Sequence, residues 1–187
     1  PLIANIEKLN DSMITALKLF EDNSVAHLIV GNESGFLLLY RIEVNTNCLM
    51  TTRLHQLKVF DEMVTSIDFD SKKKVGICGS PLDSLITVNL VEKEKSLELN
   101  VKHSISITNP GISSIAIRSD GKIVATGGWD SRIRVFSWKS LKPLAVLIYH
   151  KNTVECVAFS PKLVENGKYL LAAASSDHTA TLWDIYN

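Results

Sequence analysis

Apolar residues in this chain come in short runs separated by polar clusters, with little helical periodicity. The plainest case is residues 121–138, GKIVATGGWDSRIRVFSW. Ile123-Val124-Ala125-Thr126 is β-branched and apolar, and Gly127-Gly128-Trp129-Asp130-Ser131 is a turn cluster. Ile133 and Val135 then alternate with Arg132 and Arg134 up to Phe136. Period two predicts strands, and the Gly/Asp cluster predicts the tight turn that joins them. The same order returns at 167–184, GKYLLAAASSDHTATLWD. In both copies an acidic turn residue lies six positions before an aromatic: Asp130 before Phe136, Asp177 before Trp183.

Followed along the chain, this pattern defines four units, each a strand, a polar hairpin, a second strand, a turn and a third strand. The first has strands at 14–19, 27–30 and 36–40. The second has them at 64–69, 75–78 and 85–89. The third starts at 112–117 and the fourth at 154–159, with a longer hairpin at 160–167. The third-strand landmarks Tyr40, Asn89, Phe136 and Trp183 lie 49, 47 and 47 residues apart. Segments 41–44, 90–99 and 144–148 are candidates for a fourth, outer strand, although 92–99 also admits one helical turn. Four short strands per 45–50 residues predict an all-β propeller of about four blades. The repeats run about 10–57, 58–103, 104–150 and 151–187. Blades pack on both faces, so Phe36-Leu37-Leu38-Leu39 need not alternate. One blade cannot bury its faces alone.

The last unit has no segment left for an outer strand, while residues 1–9, with Leu2-Ile3-Ala4-Asn5-Ile6, read as one. This segment either pairs with 181–185 and closes a four-bladed ring, or it belongs to a blade whose remainder lies elsewhere. The chain opens on Pro1 rather than methionine, which reads as part of a longer protein.

Composition narrows the functional classes. Hydrophobic residues make up 45% of 187, enough for one sizeable core. The formal net charge is +0, so no global field favours direct nucleic-acid or membrane binding. No apolar run approaches the length of a membrane-spanning helix. Cys48, Cys78 and Cys156 are odd in number and far apart, which predicts buried free thiols. No G-x-S-x-G, P-loop, H-E-x-x-H or C-x-x-C occurs. His27, His55, His103, His150 and His178 fall in different units, so no metal cluster is expected. No cofactor or catalytic residue is expected either. Lys72-Lys73-Lys74 reads as a solvated turn, and His178 as a turn histidine. An enzyme built in a propeller channel would need acidic or histidine side chains on the innermost strands. Those strands present Thr15, Leu17, Ser66, Ser114, Ala116 and Cys156, with only Asp68 and Glu155 charged.

In the fourth unit, His150, Val154, Val157-Ala158-Phe159-Ser160-Pro161, Asp177 and Leu182-Trp183-Asp184 resemble a WD repeat. Unit three matches well, and units one and two match in outline. The resemblance implies a structural relay of Trp, Ser/Thr, His and Asp. It falls on Trp183, His150 and Asp177, with Ala173 at the Ser/Thr position. In unit three it falls on Asp130 and Thr126, with Phe136 at the Trp position and no histidine. Residues 121–186 are similar, more narrowly, to the β-subunit-like and ASTRA-associated branch of that family. This implies a ring of about seven blades, completed by an N-terminal remainder of the same protein. It also implies a non-catalytic scaffold working with Tel-Tti co-chaperone subunits, in phosphatidylinositol-3-kinase-related kinase maturation, and with AAA+ ATPase-containing chromatin complexes. The compartment would be the nucleus, with the cytoplasm second. A generic WD-repeat adaptor, such as a ubiquitin-ligase substrate receptor or trafficking scaffold, is the alternative.

Trp129 is the candidate partner-binding residue. It precedes the turn Asp on the face where such proteins dock partners, and a large aromatic in an exposed glycine turn gains by being covered. Glu33, Leu82 and Ser176 stand at the same place in the other units. Leu82 would extend the apolar spot, with Arg132 and Glu33 as its rim. The competing reading packs Trp129 on a neighbouring blade. Trp138 and Trp183 are expected in the core.

Overall fold

The computed structural model describes residues 12–44, 49–94, 96–164 and 167–185. Among these residues the regular elements are fifteen strands, with no helix. Blade 1 is β1 (Ile14–Asp22), β2 (Val25–Asn32), β3 (Phe36–Val44) and β4 (Leu49–Lys58). Blade 2 is β5 (Ser66–Asp70), β6 (Val75–Gly79), β7 (Ser84–Lys93) and β8 (Ser96–Ser106). Blade 3 is β9 (Ile112–Ile117), β10 (Ile123–Gly128), β11 (Arg132–Ser137) and β12 (Pro143–Ile148). Blade 4 is β13 (Val154–Phe159), β14 (Leu170–Ser175) and β15 (Ala180–Asp184). Each sheet is an antiparallel meander in sequence order, and β1, β5, β9 and β13 stand side by side on the inside.

The outer strands correct the sequence reading. Residues 41–44 prolong β3, and the outer strand of blade 1 is β4, whose polar residues outnumber its half-buried Leu49, Leu54 and Leu57. Residues 92–99 are not a helical turn. Glu92 pairs with Leu97 across a hairpin, and β8 continues to Ser106. Register also moves a landmark. Gly31↔Leu37, Gly79↔Leu85, Gly127↔Ile133 and Ala174↔Ala180 are equivalent pairs, so Val88, not Asn89, matches Phe136. The proposed strand at 2–6, and Cys48, lie outside the described residues. Cys78 is buried as expected, but Cys156 is exposed on the inner strand of blade 4.

Three apolar cores fill the gaps between successive blades. Phe20, Leu37, Leu39, Phe69 and Leu99 lie between blades 1 and 2; Ile77, Leu85, Ile112 and Phe136 between 2 and 3; Ile133, Val135, Val157 and Leu171 between 3 and 4. Each fully buried aliphatic contributes about 1.5–3 kcal/mol relative to exposure. At the inner edge one contact recurs. The first residue of the next blade sits on a glycine: a Cβ on Gly31 would lie 2.7 Å from Val64, and one on Gly79 2.7 Å from Ile112. A hydroxyl beside each glycine donates to that next residue's carbonyl: Thr15 to Val64, Thr65 to Ile112 and Ser113 to Val154. In blade 4 the equivalent positions are Ala174 and Glu155, both exposed.

Charged turns add further links between blades. Lys74 pairs with Asp22 at 2.9 Å and Lys73 reaches the Gly121 carbonyl, so two of the three turn lysines bridge blades rather than being simply solvated. Trp138, 5% exposed, donates from Nε1 to Asp70 at 2.9 Å. Leu182 is 73% exposed, whereas its equivalents Leu39 and Val135 are both 0% exposed in their blade interfaces.

Candidate protein-interaction face

The β10–β11 turn is shaped by its own carboxylate. Asp130 is held in bidentate fashion by Arg134, at 2.9 and 2.6 Å, and Asn109 donates to it at 2.7 Å. Burial alone would raise its pKa. The Arg134 and Asn109 hydrogen bonds outweigh this and bring it down to about 2. Gly128 makes room, since a Cβ there would lie 2.4 Å from Asp130 Oδ1. Arg134 is only 5% exposed. It pairs across the strands with Thr126, which is also buried, and so occupies the interior where the resemblance placed a hydroxyl relay. Blade 3 therefore has an ion pair at this place, and Phe136, two residues on from Arg134, belongs to the apolar core between blades 2 and 3.

Blade 4 has a complete relay, by a route the sequence reading did not foresee. Trp183 Nε1 donates to Thr181 Oγ1 at 2.8 Å, and Thr181 Oγ1 lies 3.0 Å from His150 Nε2. His150 Nδ1 lies 3.2 Å from Asp177 and 3.0 Å from Thr179 Oγ1. An indole nitrogen can only donate, so the Thr181 proton is free for Nε2, and Nδ1 carries its hydrogen toward the carboxylate. Ala173, the expected hydroxyl position, is the cross-strand partner of Thr181, so the hydroxyl comes from the neighbouring strand. Asp177 also accepts from Thr179 Oγ1 and from the Lys151 and Thr179 N–H groups. Its pKa is pushed well below the usual carboxylate range, first by the Thr179 hydroxyl bond. In blades 1 and 2 the place of Thr181 is taken by Leu38 and Ile86, which are apolar.

Both carboxylates titrate lower in the folded state than in the unfolded chain. The unfolded state therefore binds more protons, and their contribution is full above about pH 4 and lost as pH falls toward 2. The urea midpoint is expected to drop across that window. The drop should be shallower in Asp130→Asn, and an equally steep loss in that variant would remove Asp130 as a cause.

Trp129 is 49% exposed. Its N–H donates to the Gly111 carbonyl at 3.0 Å, and its ring covers Gly111, where a Cβ would lie 2.4–2.6 Å from ring atoms. The Gly111 N–H in turn donates to the Leu82 carbonyl at 3.3 Å. Trp129 and the 37% exposed Leu82 are thus tied through one glycine, which itself needs its positive φ of 91°. By register, however, Pro81 is the equivalent of Trp129, and Leu82 stands where blade 3 has Asp130. Arg132 lies 3.7 Å from Asp130 and borders the spot. Glu33 is two blades away and accepts from Met13 N at 3.0 Å. Ser176 in blade 4 is exposed and bonds to the Thr153 carbonyl. Gly111, the residue that seats the indole, carries no side-chain signal and was not singled out in the sequence.

On the inner strands Asp68 pairs with Lys18 at 2.5 Å and accepts from Ile117 N at 2.6 Å, bracing blades 1, 2 and 3 together. No group of three or more His, Cys, Asp or Glu suited to a metal occurs among the described residues.

Comparison with known proteins agrees with this architecture. The WD domain, G-beta repeat model matches residues 100–137 and 141–184. The chain is 39% identical over 176 residues to guanine nucleotide-binding protein subunit beta-like protein 1 of Mus musculus, covering 93% of this chain and 49% of that protein. It is 33% identical over 188 residues to ASTRA-associated protein 1 of Schizosaccharomyces japonicus, covering 97% and 49%. The chain thus spans about half the length of these relatives. Among solved structures, the β-propeller domain of Cps50 (Swd1) from Myceliophteria thermophila superposes with a TM-score of 0.71 at 16% identity, over 94% of this chain and 55% of that one. That likeness concerns the fold alone.

Proposed function

From a chain that carries WD40 repeats and stacks them as propeller blades, we propose a non-catalytic scaffold of the ASTRA and Tel-Tti co-chaperone machinery. Its partners are Tel-Tti subunits and AAA+ ATPase-containing chromatin complexes, and its compartment is the nucleus. The observation that carries this reading is the likeness to ASTRA-associated protein 1 over 97% of the chain. Two structural features support a scaffold. The half-exposed Trp129 beside Leu82 offers a rigid aromatic anchor of the kind that dominates interfaces. The bare Leu182 offers a blade face that further blades of a ring of about seven would cover.

The test is affinity purification of the tagged full-length protein with quantitative mass spectrometry. Tel-Tti subunits and AAA+ ATPases are expected among the recovered proteins. Recovery of ubiquitin-ligase or coat subunits in their place would favour the generic adaptor. In the Trp129→Ala variant, recovery should fall several-fold while the melting temperature stays within a few degrees, because the indole is half exposed and belongs to none of the blade-interface cores. A large stability loss with unchanged recovery would make Trp129 a packing residue.

A further inference from the structure

Blade 1 buries a polar side chain that packing does not call for. Gly31, Gly79, Gly127 and Ala174 are equivalent, so His27 stands where the other blades have Val75, Ile123 and Leu170. All three are aliphatic, and Val75 and Ile123 are buried in the interface cores. His27 is 3% exposed and stacks on Phe20 with ring centroids 5.4 Å apart. Its Nδ1 lies 3.0 Å from the Val25 carbonyl, which can only accept. Nδ1 therefore carries the hydrogen, and Nε2 presents a lone pair. Burial lowers the pKa of the ring, so near neutral pH it is uncharged and Nε2 stays an acceptor. No described residue donates to Nε2. A buried acceptor without a donor is a cost that the other three blades avoid.

His27 lines a cavity of about 250 Å³ between the rims of blades 1 and 2. Phe20, His27 and Arg41 form one cross-strand row on the blade 2 side of blade 1. Across from it, Glu92 and Leu97 form the row beyond the buried pair Leu90 and Leu99. The space is below the roughly 300–1,000 Å³ of small-molecule sites and suits a single side chain. Its other charges are matched: Asp22 pairs with Lys74 at 2.9 Å, and Arg41 with Glu43 at 3.2 Å. Lys93, next to Glu92, is taken by Glu98 at 2.9 Å. Glu92 has no basic partner within 4 Å among the described residues. The lining thus offers a neutral acceptor on one blade and a spare carboxylate on the other, beside the apolar Val25, Leu54 and Leu97.

We propose that this cavity takes an arginine side chain of a partner protein. The guanidinium donates to His27 Nε2 and to Glu92 together, and its aliphatic stem rests on Val25, Leu54 and Leu97. A lysine ammonium is a compact, strongly hydrated point charge and serves two acceptors on separate blades less well. An anion would meet a lone pair and a carboxylate where it needs hydrogens. The cavity lies at the β1–β2 hairpin end of the strands, opposite the end whose turn carries Trp129. It is therefore a second contact, whichever complex holds the chain.

Nitrogen NMR of the imidazoles in the full chain tests it, with His27→Phe identifying the His27 signals. The probe is N-acetyl-arginine N-methylamide. The His27 Nε2 resonance is expected to move upfield and saturate. The lysine counterpart should bind at least threefold more weakly, and the uncharged citrulline counterpart more weakly still. Glu92→Gln should weaken the arginine probe about threefold, and Glu92→Lys should abolish its binding. Glu92 is exposed, so folding is retained and a thermal melt verifies it. His27→Phe keeps the ring that stacks on Phe20 and should weaken the probe about tenfold, followed through the backbone amides of Val25 and Leu97. If that variant melts early, the Glu92 pair decides. An unmoved Nε2 resonance, equal affinity for the three probes, or indifference to Glu92→Lys overturns the proposal. Tighter binding of free L-arginine than of the blocked residue assigns the cavity to a free amino acid and overturns it too. So does a concentration-dependent dimer that Glu92→Lys dissolves, which assigns the cavity to a second copy.

Discussion

Asp130→Ala should lower stability by about 3–5 kcal/mol, a fall in melting temperature of roughly 10 °C, because it strands a buried guanidinium. Arg134 is 5% exposed, and its charge is matched by Asp130 through two hydrogen bonds. The Thr108 hydroxyl, 3.5 Å away, cannot replace a carboxylate. Arg132, 3.7 Å from the same carboxylate, would be left closer to an uncompensated positive charge. The sharper expectation concerns the double variant. Leu38 and Ile86 fill the position of Arg134 in blades 1 and 2, so the fold accepts an apolar residue there. Asp130→Ala with Arg134→Leu should therefore recover most of the loss, since the pair as a whole is worth much less than either half left alone. Urea unfolding of the four proteins of the cycle measures this. Additive losses would show that Asp130 acts through the turn and not through Arg134.

The repeats were legible in the sequence because the contacts between blades recur. A small residue where the next blade abuts, and buried aliphatics along the second and third strands, return at nearly constant spacing. β4 was not legible, because an outer strand touches a neighbour with one face only and its half-buried leucines are diluted by Thr51, Thr52, Arg53 and Gln56. The one-residue slip at Asn89 has a related cause. Val88 is a small aliphatic where the other units have aromatics, and only strand pairing fixes its place. Arg134 was unreadable as a core residue. In an alternating run with Ile133 and Val135 an arginine reads as solvent-facing, and only the half-buried Asp130 beside Gly128 draws it inward. The Trp129 spot was read from an aromatic in a glycine turn. Its support, Gly111, depends on a positive φ and a close backbone approach that no side chain announces.

Thr181→Ala should cost about 2 kcal/mol, because one hydroxyl serves the buried His150 and the half-buried Trp183. Its removal leaves Trp183 Nε1 without an acceptor and His150 Nε2 without a donor, beside a His150 that is 4% exposed. Thr181→Ser, which keeps the hydroxyl, should stay within about 1 kcal/mol of the parent. The cross-strand pairing then permits a stricter experiment. Ala173 and Thr181 are directly opposed, and opposed residues of an antiparallel pair point to the same face. Ala173→Ser in the Thr181→Ala background moves the hydroxyl one strand inward and should regain at least half the loss. Hydrogen exchange of the Trp183 indole reports the bond itself: faster in Thr181→Ala, slowed again in the double variant. If exchange is unchanged in Thr181→Ala, the indole is held by packing and the relay contributes nothing. If it quickens and the double variant fails to slow it, the hydroxyl must come from the outer of the two strands, and blade 4 is then built around Thr181 alone.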